Sequence, residues 1–174
     1  MDRAQLRRRL GDAVVEGEAA NAAKRVLAET AVGYLAMAGE GWPYVVPISF
    51  APDGETVFFH GGGSLKASLL EADPRVCLAV TTPPGFIRAD DPCDENFRYE
   101  SVLAFGEVEL VEDEDERDRA LRVIVAKYDS TLQRAEFRPA IYKTTSVWAL
   151  RVEALTYKRN PPQPAQGFAG RSSA

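Results

Sequence analysis

Between Pro43 and Thr82 three apolar segments follow one another with punctuation that limits how they can pair. PYVVPISFA (43–51) and ETVFFH (55–60) are separated only by a Pro52-Asp53-Gly54 turn, which predicts an antiparallel hairpin. ETVFFH runs straight into GGGSLK (61–66), a glycine-rich bend that opens a short helix over 64–72. RVCLAVTT (75–82) follows after Asp73-Pro74 as a further strand. Pro47 lies inside the first strand. A proline gives no N–H to a ladder, so this strand takes an edge position or carries a bulge.

The rest of the chain adds to that block. A short basic helix is expected over 2–10 and a second helix over 17–29, followed by a strand at 31–37 bounded by Gly39 and Gly41. PPGFIRADDPCDE (83–95) reads as a long loop, the kind that is often functional or mobile. FRYESVLAFGEVELV (97–111) reads as a long strand bent at Gly106. The acidic run 112–116 precedes a helix with Ala120, Leu121, Ile124, Val125 and Tyr128 on one face. Residues 130–145 read as irregular or briefly helical, and SVWALRVEAL (146–155) closes the sheet. Six short strands with few helices between them do not make a doubly wound pattern. They predict a mainly β (α+β) fold, an antiparallel barrel with helical insertions, as one domain over 1–159. From Asn160 onward, Pro, Gly, Gln and Ser predict a flexible tail over 160–174.

Charge and composition narrow the function. A formal net charge of -5 gives no field favouring nucleic acid or an anionic membrane. No apolar run approaches the roughly 20 residues of a membrane helix. MDRAQLRRRLGD has arginines but no apolar core after them, so a cytoplasmic location is expected. His60, Cys77 and Cys93 cannot fill a Cys/His metal site unaided, so no metal is expected.

The 61–66 bend concentrates the candidate chemistry. Backbone N–H groups, the Ser64 hydroxyl and the Lys66 ammonium can converge on one anion. Glycines also serve plain turns, and Lys66 also suits a solvated helix surface, so both readings stand at this level. The bend lacks the Gly-Lys-Ser/Thr ending of a nucleotide-hydrolysing loop. His60 ends a strand, where it serves either packing or a ligand beside the bend. No second histidine, and no Ser101 or Ser49 in a G-x-S-x-G setting, supports a catalytic triad. Cys93 has few basic neighbours to activate it. Trp42 and Trp148 suit core, interface or a planar ligand.

In this order, PYVVPISF, VFFHGGGSLKASLLEADPRVCLAV, DPCDENFRYESVLAFGEVELV, EDERDRALRVIVAKY and VWALRVEALTYKR resemble the pyridoxamine phosphate oxidase-like flavoproteins with a split β-barrel. The similarity covers roughly 20–159 and looks nearest to the branch with the nitroimidazole-resistance reductases. It implies FMN held without a covalent bond at the interface of a homodimer. By that resemblance Pro47, Ile48 and Ser49 match the strand along the isoalloxazine ring, and Phe59 and His60 the strand end beside it. Ser64, Leu65 and Lys66 match the phosphate-binding turn, with Lys66 on the phosphate. Ser101 matches the serine of the Tyr-x-Ser-Val motif, here Tyr99 to Val102. Trp148, Lys158 and Arg159 match positions where the partner subunit approaches. Leu65 replaces the family's usual basic residue before the lysine, and the arginine and histidine motif of the vitamin B6 enzyme is not found after Arg159. The resemblance therefore implies an FMN-dependent oxidoreductase acting on a small molecule, with a nicotinamide donor. Its alternatives are a deazaflavin-dependent reductase of the same fold and a non-enzymatic flavin or haem carrier.

Overall fold

The computed structural model describes residues 3–38, 42–61 and 65–160. The helices are α1 (Arg3–Leu10), α2 (Gly17–Glu29), α3 (Leu65–Ala72), α4 (Glu114–Tyr128) and α5 (Pro139–Thr144). The strands are β1 (Gly33–Met37), β2 (Tyr44–Ile48), β3 (Phe50–Asp53), β4 (Thr56–Gly61), β5 (Arg75–Thr81), β6 (Gly85–Ile87), β7 (Asn96–Leu110) and β8 (Ser146–Asn160). Period-two alternation sets the wall. Val76, Leu78 and Val80 of β5 and Val102, Ala104, Gly106 and Val108 of β7 are buried, while the residues between them are more exposed.

Every strand pairing is antiparallel, in the order β2-β1-β5-β7-β8-β4-β3, with β6 added at the start of β7. β2 and β3 stand at opposite ends of this path, yet Ser49 alone separates them. The sheet must therefore curl until its two ends meet, which makes it a split barrel. Pro47 sits on the edge strand β2, where its missing N–H costs no ladder bond.

Two cores result. The barrel interior holds Leu35, Phe50, Val57, Phe59, Leu78 and Leu150, and α2 adds Ala23, Val26 and Leu27. Outside the barrel α4 lays Ala120, Leu121 and Ile124 on Ala51, Phe58, Val147 and Ala149. β4 is thus covered on both faces, which is why Val57, Phe58 and Phe59 are buried in succession. The acidic run is the start of α4: the Asp113 carboxylate accepts from the Glu116 N–H at 2.8 Å and caps the helix.

The far end of α4 clamps the closure. The Tyr128 hydroxyl donates to the Ala31 carbonyl at 2.6 Å and accepts from the Phe50 N–H at 2.9 Å. Lys127 Nζ donates to the Leu27 carbonyl at 3.0 Å and stands 3.4 Å from the centroid of the Phe50 ring. These contacts tie α2, α4 and the first residue of β3 together.

Several expectations change. The 43–51 strand is two strands, broken at Ser49, and among the described residues the wall has eight strands in place of six. The 83–95 segment is not simply a loop. Gly85–Ile87 pairs with Asn96–Arg98, and the Phe86 and Phe97 rings meet at 5.2 Å, so cross-strand aromatic packing extends β7. β8 continues past 155 to Asn160, whose side chain donates to Asn96 Oδ1 at 3.1 Å. The rest of the expected tail, 161–174, lies outside the described residues, as do Gly39, Gly41, Gly62, Gly63 and Ser64. Among the described residues no helix is long and apolar enough to cross a membrane.

Gly106 marks the register shift of the long β7–β8 pairing, and a Cβ there would stand 1.9 Å from the Arg151 carbonyl oxygen. Backbone cannot step aside as a side-chain tip can. Gly106→Ala is expected to cost about 2–3 kcal/mol, read from urea unfolding. Lys127 supplies a second expectation. Burial pushes its amine down from 10.5 to about 8. Between those values the unfolded chain holds more protons, so Lys127 makes stability rise with pH across that window. Urea midpoints near pH 8 and pH 10 should show this rise reduced in Lys127→Met.

Candidate functional site

The closure at Ser49 gathers one end of the sheet. Phe50, next to Ser49, pairs with Phe59, and Phe59 pairs in turn with Trp148 of β8. Pro47 and Ser49 are exposed and Ile48 is buried, so the chain passes this point with two side chains outward and one in the core. Among the described residues, β2 and β3 each keep one edge without a strand partner here.

β4 leaves this point through His60 and Gly61, and α3 begins at Leu65. Lys66 folds back over the strand end. Its Nζ lies 5.7 Å from the centroid of the Phe59 ring and donates to the His60 carbonyl at 3.4 Å. Gly61 makes room for it: a Cβ on Gly61 would lie 2.2 Å from Lys66 Nζ. Among the described residues no carboxylate pairs with this ammonium, and half-burial alone lowers its pKa. A half-buried cation without a counter-charge carries a desolvation cost that an anion would offset. Lys66 is the second residue of α3, whose first N–H groups have no partner within the helix.

His60 turns the other way, onto the α4 side of β4, where it lines a cavity of about 370 Å³. Burial first, and the Lys66 charge second, hold its imidazole below the usual histidine pKa. It is therefore predominantly neutral near pH 7. Trp148 lies in the core at this same end of the wall, and its indole N–H is buried with no acceptor among the described residues. A buried donor without a partner costs about 1–3 kcal/mol.

The structure thus brings Pro47, Ile48, Ser49, Phe59, His60, Leu65, Lys66 and Trp148 to one end of the barrel. Ser64 lies outside the described residues. Ser101 is placed elsewhere. It pairs with Thr81 and with Lys158, whereas His60 pairs with Val147 at the opposite end of β8. At about 3.3 Å per residue, tens of ångströms of strand separate those two pairing points. Lys158 and Arg159 share the Ser101 end. Within one chain this second group does not join the Lys66 group. Cys77 stays inert, its thiol pushed up to about 11 by burial. Sequence reasoning missed the cavity at His60, formed by α4, α5 and the 130–138 segment. Leu132, Phe137, Ile141 and Tyr142 were its only signal, without a helical or strand period.

The residues at this end fit a phosphate-bearing cofactor: the Lys66 ammonium, without a carboxylate partner among the described residues, lies over Gly61, where a glycine leaves it room, and Lys66 belongs to the first turn of α3. The family model described as pyridoxamine 5'-phosphate oxidase matches residues 19–159, and the chain belongs to that family. No curated protein matches the chain. Among solved structures, the FAD and heme binding protein from Mycobacterium smegmatis is similar with a TM-score of 0.76 at 21% identity, over 88% of this chain and 76% of that one. The flavocytochrome Anf3 from Azotobacter vinelandii gives 0.72 at 23%, over 86% and 71%. A candidate 5-nitroimidazole antibiotic resistance protein from Bacteroides thetaiotaomicron gives 0.69 at 24%, over 83% and 84%. At these identities the likeness speaks to the split-barrel fold.

Gly61→Ala tests the cradle without any ligand. The new methyl meets the end of a flexible side chain, so the fold should hold and Lys66 should swing into solvent. NMR of ¹³C-methylated lysines should find the Lys66 pKa below 10.5 in the parent protein and raised in the variant.

Proposed function

We propose that the chain is an FMN-binding flavoprotein, and that Lys66 receives the cofactor's phosphate. The observation that carries this reading is the half-buried Lys66 ammonium, lodged against Phe59 and Gly61 with no carboxylate partner among the described residues. The first N–H groups of α3 would share the phosphate, and Leu65 brings no second charge. Pro47 and Ile48, at the end of the edge strand β2, and Ser49 just after it would flank the ring, with Phe59 and His60 at its side. When bound, the flavin supplies hydride or electron transfer between a nicotinamide donor and a small-molecule acceptor. The chain's own residues bind, orient and shield. His60, kept neutral, adds no charge beside the ring.

The working form in this reading is a homodimer in the cytoplasm. On the outer face of the wall, Pro47, Tyr34, Ala79 and Leu103 form one cross-strand row, and Val45, Ala36, Cys77 and Phe105 the next. Tyr34 is 53% and Val45 55% exposed, an apolar surface that a second copy would cover. Ser101, Lys158 and Arg159, remote from Lys66 in one chain, would reach the flavin from that copy. Tyr34→Glu should shift the light-scattering mass from dimer toward monomer and weaken FMN at the same time. A parent protein of monomer mass with FMN bound would contradict the dimer.

The phosphate contact is tested with two ligands. Lys66→Ala should weaken FMN by about 1.5–3 kcal/mol, roughly ten- to 150-fold, and riboflavin, which lacks the phosphate, hardly at all. Fluorescence titration of both ligands on both proteins reads this. Equal losses, or none, would remove Lys66 from the site.

A further inference from the structure

We propose that the cavity between α4, α5 and the end of β4 is a binding site for an uncharged, largely apolar molecule of one or two rings, the acceptor of the flavin reading above. The cavity measures about 370 Å³, within the usual range of roughly 300–1,000 Å³ for small-molecule sites. Its inner wall is α4, with Leu121 and Ile124 packed in the outer core. Its mouth is Leu132 and Ile141, which are 52% and 55% exposed. Large apolar side chains left open around a cavity are the feature that a bound apolar molecule would satisfy.

The wall is built to hold its shape. Phe137 and Tyr142 stack at 5.8 Å. Arg122 lies over the Phe137 ring at 5.3 Å, and Arg117 over the Tyr142 ring at 4.3 Å. Both arginines are also tied by hydrogen bonds, Arg122 to Asp118 and to the Gln133 carbonyl, Arg117 to the Tyr142 carbonyl. Their charges therefore serve the wall. Glu136 and Arg138 both line the cavity and carry opposite signs, so neither an anion nor a cation is favoured overall. The polar group at the β4 end is the His60 imidazole, held neutral and able to make one hydrogen bond to a ligand. His60 also joins the two halves of the site. Its carbonyl accepts from Lys66, while its side chain faces the cavity. A molecule here would lie beside the strand end assigned to the flavin.

The inference rests on the flavin reading for the role of the ligand and on the cavity alone for binding. The test therefore uses the flavin-free protein and N-phenyl-1-naphthylamine, an uncharged aromatic fluorophore. Saturable enhancement of its fluorescence is expected. Ile141→Glu, which places a carboxylate at the mouth, should weaken the probe by about tenfold or more. Leu132→Trp, which fills the mouth without adding charge, should also weaken it. Phe86→Ser, on the distant β6 hairpin, should leave probe binding unchanged. Circular dichroism checks that each variant folds, and FMN titration checks that Ile141→Glu and Leu132→Trp still take the cofactor. Loss of the probe with FMN retained supports the site. Absence of saturable probe binding, or equal binding by all the folded variants, overturns it and leaves the flavin reading intact. Probe binding with no FMN binding would keep the cavity as a ligand site but overturn its assignment to a flavin acceptor.

Discussion

A single residue, Ser49, joins the two ends of a seven-strand path. Laid flat, strands about 4.8 Å apart would hold those ends nearly 30 Å from each other. Two Cα steps span only about 7 Å. The sheet must curl, and the rest of the structure depends on that closure. It encloses the interior that Phe50, Phe59 and Leu78 fill, and it presents the outer faces of β3, β4 and β8 to α4. It also brings the exit of β2 beside the exit of β4, where the Lys66 cradle lies. Tyr128 and Lys127 fasten the joint by binding the backbone and ring of Phe50, the first residue after it.

The wall was largely legible in the sequence because burial on one face imposes a period of two. The edge position of Pro47, the bend at Gly106 and the extent of α2 follow from single residues or clear periodicity. The break at Ser49 was not legible. Ile48 and Phe50 both point inward and Ser49 outward, so alternation runs through the break in phase. The change is one of partner, from β1 to β4, and local sequence does not encode a partner. β6 was missed for another reason. Three residues between prolines and aspartates are too few to show a period, and their pairing is decided by Phe97.

The site divides along the same line. The short helix that carries Lys66 was legible, because a glycine-rich run before it and Asp73-Pro74 after it bound it; residues 62–64 of that run lie outside the described residues. The structure adds what spacing could not give: that Gly61 lacks a Cβ where Lys66 sits, and that the ammonium meets a ring with no carboxylate among the described residues. The separation of Ser101 from Lys66 was hidden, because it depends on where β4 and β7 pair along β8. The cavity at His60 was hidden as well, since α5 and the segment before it carry no period of their own.

The central claim is that Lys66 holds the phosphate of a bound flavin. The phosphate itself reports on this most directly. Free in water, a phosphate monoester takes up its second proton near pH ~6. Paired with the Lys66 ammonium and the start of α3, the dianion should resist that proton. A ³¹P NMR titration of the FMN-loaded protein is therefore expected to show one resonance whose shift stays constant as the pH falls through that range. A bound-state resonance that titrates as it does for free FMN would contradict the account.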